Sequence, residues 1–248
     1  VGSEMCIRDS TNTASIICID ITGNNITFDC KGHFIDGTGL TGSIYTAVRI
    51  YRASSTDTNI TIKNCNLTDL IDITGYTRRG IWTTNSNKNF ILNSSIYGAY
   101  RGVEIQYSDS NTITDIYLDM QFANICSFSF GISGGSYNNI TNITSKNCNS
   151  GEGFVIDGGS HNIVSKSKFI SDYWGIGIYA YEDTVTNNTF YDSIIQDSLD
   201  TSFYLDDGDF GITSNKFYNN LINDTDYSSN LYTSNTQYWN TTRQTGTR

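Results

Sequence analysis

Seven times this chain returns to the same phrase of about ten residues: a small residue, then apolar–any–apolar, then polar turn residues. It runs Ala47-Val48-Arg49-Ile50 to Asn59, stretched by three, then Gly80-Ile81-Trp82-Thr83 to Asn89, Gly102-Val103-Glu104-Ile105 to Asn111, and Ser129-Phe130-Gly131-Ile132 to Asn138. It continues as Gly153-Phe154-Val155-Ile156 to Asn162, Gly175-Ile176-Gly177-Ile178 to Thr184, and Ser202-Phe203-Tyr204-Leu205 to Gly211. A second apolar run follows each phrase, as in Ile60-Thr61-Ile62 and Ile163-Val164. A unit this short cannot bury its own apolar face, so it must stack on its neighbours as a solenoid.

Taking Asn25, Asn59, Asn89, Asn111, Asn138, Asn162, Thr184 and Gly211 as equivalent gives steps of 34, 30, 22, 27, 24, 22 and 27 residues. A step of 22 is too short for a strand–helix–strand unit, and no leucine-rich consensus is present. The runs alternate with period two and favour Ile, Val, Phe and Tyr, a strand pattern. Proline is absent and 22 glycines are available for corners. The expected fold is all-β: a right-handed parallel β-helix of about eight coils, three short strands per coil, with loops pushed out at 39–45 and 69–79. Val48/Ile50, Ile81, Val103/Ile105, Phe130/Ile132, Phe154/Ile156, Ile176/Ile178 and Phe203/Leu205 should point inward, with Phe169, Phe190 and Phe217 as an interior aromatic stack. Asn suits a left-handed corner, and an Asn repeated at each rung can hydrogen-bond the one above and below.

A net charge of −10 lacks the basic footprint of a nucleic-acid binder and disfavours an anionic membrane, while tolerating neutral sugars and cations. No apolar run reaches the length of a membrane span, and no signal peptide is visible. Both ends read as cut. The segment 1–10 shares nothing with the repeat and is set aside as a non-native leader; 11–248 is read as one domain. Cys18 and Cys30 flank the first turn and could pair in an oxidising compartment. Cys65 and Cys148 occupy matching Lys-Asn-Cys-Asn contexts, where a small apolar stack is expected. Without a CxxC pair, structural zinc is not expected.

Outward positions of the first strand form one exposed face. The third place of the phrase holds Arg49, Trp82, Glu104, Gly131, Val155, Gly177 and Tyr204; the fifth holds Tyr51, Thr84, Gln106, Ser133, Asp157, Tyr179 and Asp206. Rings mixed with acids and amides suit a sugar chain, so Trp82, Glu104, Gln106, Tyr179 and Tyr204 are candidate substrate-binding residues. An ordinary solvated strand face explains the same composition. Asp157 and Asp206 share a column two rungs apart, roughly 9–10 Å, near the carboxyl spacing of inverting glycosidases, which makes them the candidate catalytic pair; turn-forming aspartate is the competing account. Glu104 extends the acidic line. Asp206, Asp207 and Asp209 offer oxygens for calcium, without an EF-hand or nonapeptide spacing. His33 and His161 lack triad partners. Arg78-Arg79 could neutralise an anionic sugar from a loop.

Cys18-Ile19-Asp20-Ile21 followed by Asn25-Ile26-Thr27-Phe28-Asp29-Cys30-Lys31-Gly32-His33 and Ile35-Asp36-Gly37 resembles the opening coil of NosD-like, carbohydrate-associated β-helix repeat proteins. Tyr238-Trp239-Asn240-Thr241-Thr242 is similar to their late coils, so the resemblance spans roughly 15–242. It implies the fold strongly and function weakly, since such domains occur in polysaccharide lyases and hydrolases, surface proteins and a periplasmic accessory protein of copper-enzyme maturation. No pectate lyase or polygalacturonase motif is matched, so no catalytic residue transfers. The expectation is a monomeric extracellular, cell-surface or periplasmic protein that binds, and in one version cleaves, polysaccharide or envelope glycan. A non-catalytic scaffold and a NosD-like accessory protein are the alternatives.

Overall fold

The computed structural model describes residues 4–5, 16–37, 44–68, 70, 77–121, 125–223, 229–232 and 237–243. Its elements are all strands, and the strands pair in parallel from coil to coil. The architecture is the expected right-handed parallel β-helix. One face is a nine-stranded sheet built from Ile16–Ile21, Ile44–Asp57, Thr77–Asn87, Arg101–Gln106, Phe128–Ser133, Glu152–Asp157, Trp174–Tyr179, Thr201–Asp206 and Ser229–Tyr232, in that order. The two later strands of each coil form a fourteen-stranded sheet, and a three-stranded ribbon lines one corner of the later coils. Glu4–Met5, within the segment set aside from the sequence, pairs in parallel with Phe34–Asp36.

The register carries the repeat onto the structure. Val48, Ile81, Val103, Phe130, Phe154, Ile176 and Phe203 align, as do Ile50, Thr83, Ile105, Ile132, Ile156, Ile178 and Leu205. All are buried, and all but Thr83 belong to one continuous apolar core. The small residue before each pair also faces inward: a Cβ on Gly80 would fall 2.7 Å from Ile96 Cδ1, and one on Gly102 2.6 Å from Met120 Cε. Two consecutive inward residues displace the alternation, so the residue before them faces outward again. Phe130 stacks on Phe154 at 5.3 Å and Phe190 on Phe217 at 5.0 Å. Phe169 belongs to a different column, aligned with Ser145 and Ile195, and meets Phe154 at a tilt.

The asparagine column resolves into two adjacent ones. Asn25 and Asn59 sit in left-handed corners, aligned with Lys88, Ser110, Tyr137, His161, Asn187 and Ser214, all at positive φ. One residue further on lies the buried ladder: Asn89, Asn111, Asn138, Asn162, Asn188 and Asn215. Asn111 donates its backbone N–H and its Nδ2 to Asn138 Oδ1 at 2.9 and 2.8 Å, and Asn188 does the same to Asn215 at 2.9 and 3.0 Å. Thr184 and Gly211 lie four residues before Asn188 and Asn215, on the approach to the corner. The ladder satisfies main-chain donors that would otherwise be buried at every turn. Thr58 closes it at the early end, donating to Asn89 Oδ1.

The cysteines pair across rungs. Cys30 bonds Cys65 and Cys126 bonds Cys148, with Cα separations of 4.9 and 5.3 Å; Cys18 is disulfide-bonded as well. The expected pairing of Cys18 with Cys30 is therefore corrected, as is the apolar stack expected of Cys65 and Cys148. Parallel stacking explains this: Cys30 lies beside the residue one coil on, whereas Cys18 lies across the first turn on the other sheet. Arg78 and Arg79 are not in a loop; they begin the strand Thr77–Asn87 and align with Tyr45 and Thr46. The three extra residues of the first phrase form an irregularity between Tyr51 and Thr56, opposite Thr84 and Ser86. Residues 38–43 and 71–76, where the two loops were expected, lie outside the described residues.

Candidate functional site

On the nine-stranded face three outward columns run along the rod. The third-place column (Arg49, Trp82, Glu104, Gly131, Val155, Gly177, Tyr204) and the fifth-place column (Tyr51, Thr84, Gln106, Ser133, Asp157, Tyr179, Asp206) align residue for residue as the sequence indicated. A further column precedes the small residue: Thr46, Arg79, Arg101, Phe128, Glu152, Trp174 and Thr201. It was missed because strict alternation would have placed it inward.

The early half of this face is a chain of guanidinium groups, rings and acids. Arg49 is held by both Asp20 oxygens, at 3.0 and 2.7 Å, and lies over Tyr51 at 4.9 Å. Arg79 lies 4.6 Å over Trp82 and donates to Glu104 Oε2. Arg101 donates to Glu104 Oε1 at 2.6 Å and lies 5.0 Å over the Phe128 ring. Glu104 is 2% exposed, so its charge is tolerable only because two arginines clamp it.

The later half is acidic and aromatic. Glu152 is 9% exposed, and the Tyr179 hydroxyl donates to its Oε1 at 2.5 Å. Burial holds the Glu152 carboxyl above the usual range, partly countered by the Tyr179 hydrogen bond and the Arg101 charge. Burial and the neighbouring Glu152 likewise hold the Tyr179 phenol well above its ordinary value. Tyr181 donates to Asp206 Oδ2, which keeps its phenol protonated up to about 12. Trp174 stacks on Tyr204 at 4.7 Å, Tyr204 contacts Tyr179 at 5.5 Å, and Tyr179 contacts Tyr181 at 5.9 Å.

Where the halves meet, a cavity of about 320 Å³ opens. Arg101, Phe128 and Glu152 line it from the column before the small residue, Glu104 and Val155 from the third-place column, and Gln106, Ser133, Asp157 and Tyr179 from the fifth-place column. Tyr181 and Glu182 reach in from the next corner. The structure thus brings together Glu104, Gln106, Asp157 and Tyr179 from the sequence candidates. It leaves Trp82 on the rung before the cavity, and Tyr204 and Asp206 on the rung after Tyr179. Arg101, Phe128 and Glu152 were not anticipated.

Asp157 Oδ1 accepts the backbone N–H groups of Tyr181 and Glu182 at 3.1 and 3.2 Å, fixing the next corner. Asp206 Oδ1 accepts Gly208 N–H at 3.1 Å, closing its own turn. Both aspartates therefore have a structural task. Glu104 lies in the column beside Asp157 rather than in line with it. Among the described residues no three acidic, histidine or cysteine side chains form a cluster that could hold a metal ion, the Asp206, Asp207 and Asp209 turn included. His33 is exposed, and His161 stacks on Tyr137 at 4.9 Å on a different corner.

The stacked coils, the buried amide ladder and a groove on the nine-stranded sheet define a right-handed parallel β-helix. Over residues 17–248 the chain matches the family described as periplasmic copper-binding protein (NosD), and it belongs to that family. No curated protein sequence matches it. Among solved structures, the enzymatically active domain of tailspike protein 2 of bacteriophage CBA120 is similar, with a TM-score of 0.61 at 12% identity over 87% of this chain and 37% of that one. A double mutant of the periplasmic alginate epimerase AlgG gives 0.55 at 10% identity over 95% and 80%. DFA-IIIase from Arthrobacter chlorophenolicus A6 gives 0.52 at 12% over 82% and 56%. This chain spans little more than a third of the tailspike domain, and at these identities the likeness concerns the fold alone.

The family description names copper, and the described residues do not assemble a site for it. Their cysteines are all in disulfides, Met120 is enclosed in the core, and the two histidines sit on separate coils without a cluster of ligands. Nor is any helix of the described residues long and apolar enough to cross a membrane.

Proposed function

We propose that the protein binds a polysaccharide on the outward face of the nine-stranded sheet, seating part of the chain in the cavity between Arg101 and Tyr181. The observation that carries this reading is the convergence of apolar and polar groups in one groove: Phe128, Val155 and Tyr179 supply faces for sugar C–H groups, while Arg101, Gln106, Ser133, Glu152 and Asp157 supply hydrogen-bonding partners. Trp82 before it and the Trp174–Tyr204 stack after it continue the aromatic track along the rod. Three β-helix neighbours whose names speak of a tailspike, an alginate epimerase and DFA-IIIase support a saccharide ligand by analogy. Cross-rung disulfides suit an oxidising periplasmic or extracellular compartment.

Screening the protein against arrayed polysaccharides tests this, with reducing-end release followed on every glycan bound. Binding that is lost in Phe128→Ala is the expected result. Cleavage that disappears in Asp157→Asn would add a catalytic role to the groove. If no glycan binds, the face is an inert surface and the rod itself, a scaffold, is the better account.

A further inference from the structure

In the middle outward column Gly131 and Gly177 flank Val155 on successive rungs. A Cβ on Gly131 would fall 2.5 Å from Phe128 Cε2 and 2.8 Å from its Cζ. One on Gly177 would fall 2.8 Å from Tyr179 Cε2 and 3.0 Å from both Tyr179 Oη and Glu152 Cγ. Each glycine is thus covered by an aromatic ring from its own strand, laid over the backbone in the space a side chain would take. Val155, itself nearly buried, lies between the two rings. Three rungs at about 4.8 Å spacing make an apolar floor about 10 Å long, wide enough for a sugar ring and the start of its neighbours. Phe128, Val155 and Tyr179 all line the cavity.

The charges around that floor decide what can lie on it. Arg101 is the one cation among the lining residues, and it is engaged by Glu104 and by the Phe128 ring. Glu104 takes Arg79 as well. Asp157 and Glu182 remain as acids on the far wall, and Glu152 stands at the near one, joined to Tyr179. A carboxylated sugar would meet no uncommitted cation and at least two like charges. We infer that Phe128 and Tyr179, packed over Gly131 and Gly177, form a stacking floor selective for an uncharged sugar, and that the groove rejects polyuronates. This rests on the polysaccharide reading above and names the class of glycan.

Isothermal titration of the whole protein with hexasaccharides of neutral glucans and of polygalacturonate, at low salt, tests it together with Gly131→Ala and Gly177→Ala. Both glycines lie in extended strands, and the atoms in the way belong to side chains (the two rings and Glu152 Cγ) rather than to backbone, so the new methyl groups should push the rings off the floor and leave the fold standing. A neutral glucan should bind, the uronate should bind at least about tenfold more weakly, and each alanine variant should lose about tenfold. Phe128→Ala, which adds nothing beneath the ring, should lose as much and guards against a misfolded glycine variant. Uronate binding equal to or tighter than neutral glucan would overturn the selectivity, and unchanged affinity in all three variants would overturn the floor. Failure of every glycan to bind instead removes the polysaccharide reading itself, a distinguishable result.

Discussion

Asp172, 1% exposed to water, makes the stability of this fold depend on pH. It lies beneath the Cys126–Cys148 bridge, where its Oδ1 accepts the Cys148 N–H at 2.8 Å and its Oδ2 the Ser145 hydroxyl at 3.1 Å. Those bonds favour the carboxylate, but burial and the nearby Asp119 oppose it more strongly, and the pKa rises from 3.8 to about 7. Between these two values the folded chain holds a proton that the unfolded chain has lost, so stability falls as pH rises and levels off above about 7. Roughly three pH units at 1.36 kcal/mol each give about 4 kcal/mol in all, of which about 3 kcal/mol lies above pH ~4.5. Asp172→Asn keeps the shape, still accepts the Cys148 N–H, and can donate to Ser145. Urea unfolding of both proteins from about pH 4.5 to about pH 8.5 should therefore show the variant gaining about 3 kcal/mol over wild type as pH rises, with other titrating groups cancelling in the difference. Parallel profiles across that range would mean that the carboxyl is ionised in the folded protein at no penalty, and that the burial argument fails.

Three further outcomes follow from the same physics. Asn138→Ala should lower the free energy of unfolding by about 3 kcal/mol in chemical denaturation, because Asn111 N–H and Nδ2 lose their shared acceptor and Ser108 O and Asn162 Oδ1 lose a donor inside the core. Replacing Cys126 and Cys148 together by serine should destabilise by about 3 kcal/mol, the loop-closure estimate for a separation of 22 residues, read as a lowered denaturant midpoint. Glu104→Gln should destabilise by about 2 kcal/mol in the same assay: two guanidinium groups lose their counter-charge, though each keeps part of its surface in water.

The repeat made the inward columns legible because parallel stacking forces equivalent residues into register, and a wrong side chain at Phe154 or Ile178 would face a packed interior. The same rule placed Asp157, Tyr179 and Asp206 in one line from sequence alone. It could not place Glu152, Arg101 and Phe128. Period-two counting turns them inward, and only the double inward step at the small residue returns them to the surface. Nor does sequence separate corner asparagines from ladder asparagines. Asn59 and Asn89 look alike in a string, yet one sits at φ 50 in solvent and the other is sealed within the coil. The disulfides fail for a related reason: proximity along the chain suggested Cys18 for Cys30, whereas a solenoid sets each residue beside the one a full coil away, at Cys65. Glycine is the most instructive case. In the outward column Gly131 and Gly177 read as gaps between functional side chains, and they become meaningful only once Phe128 and Tyr179 are seen lying across them. A column's empty places, in a stacked fold, can belong to the rings of the same strand.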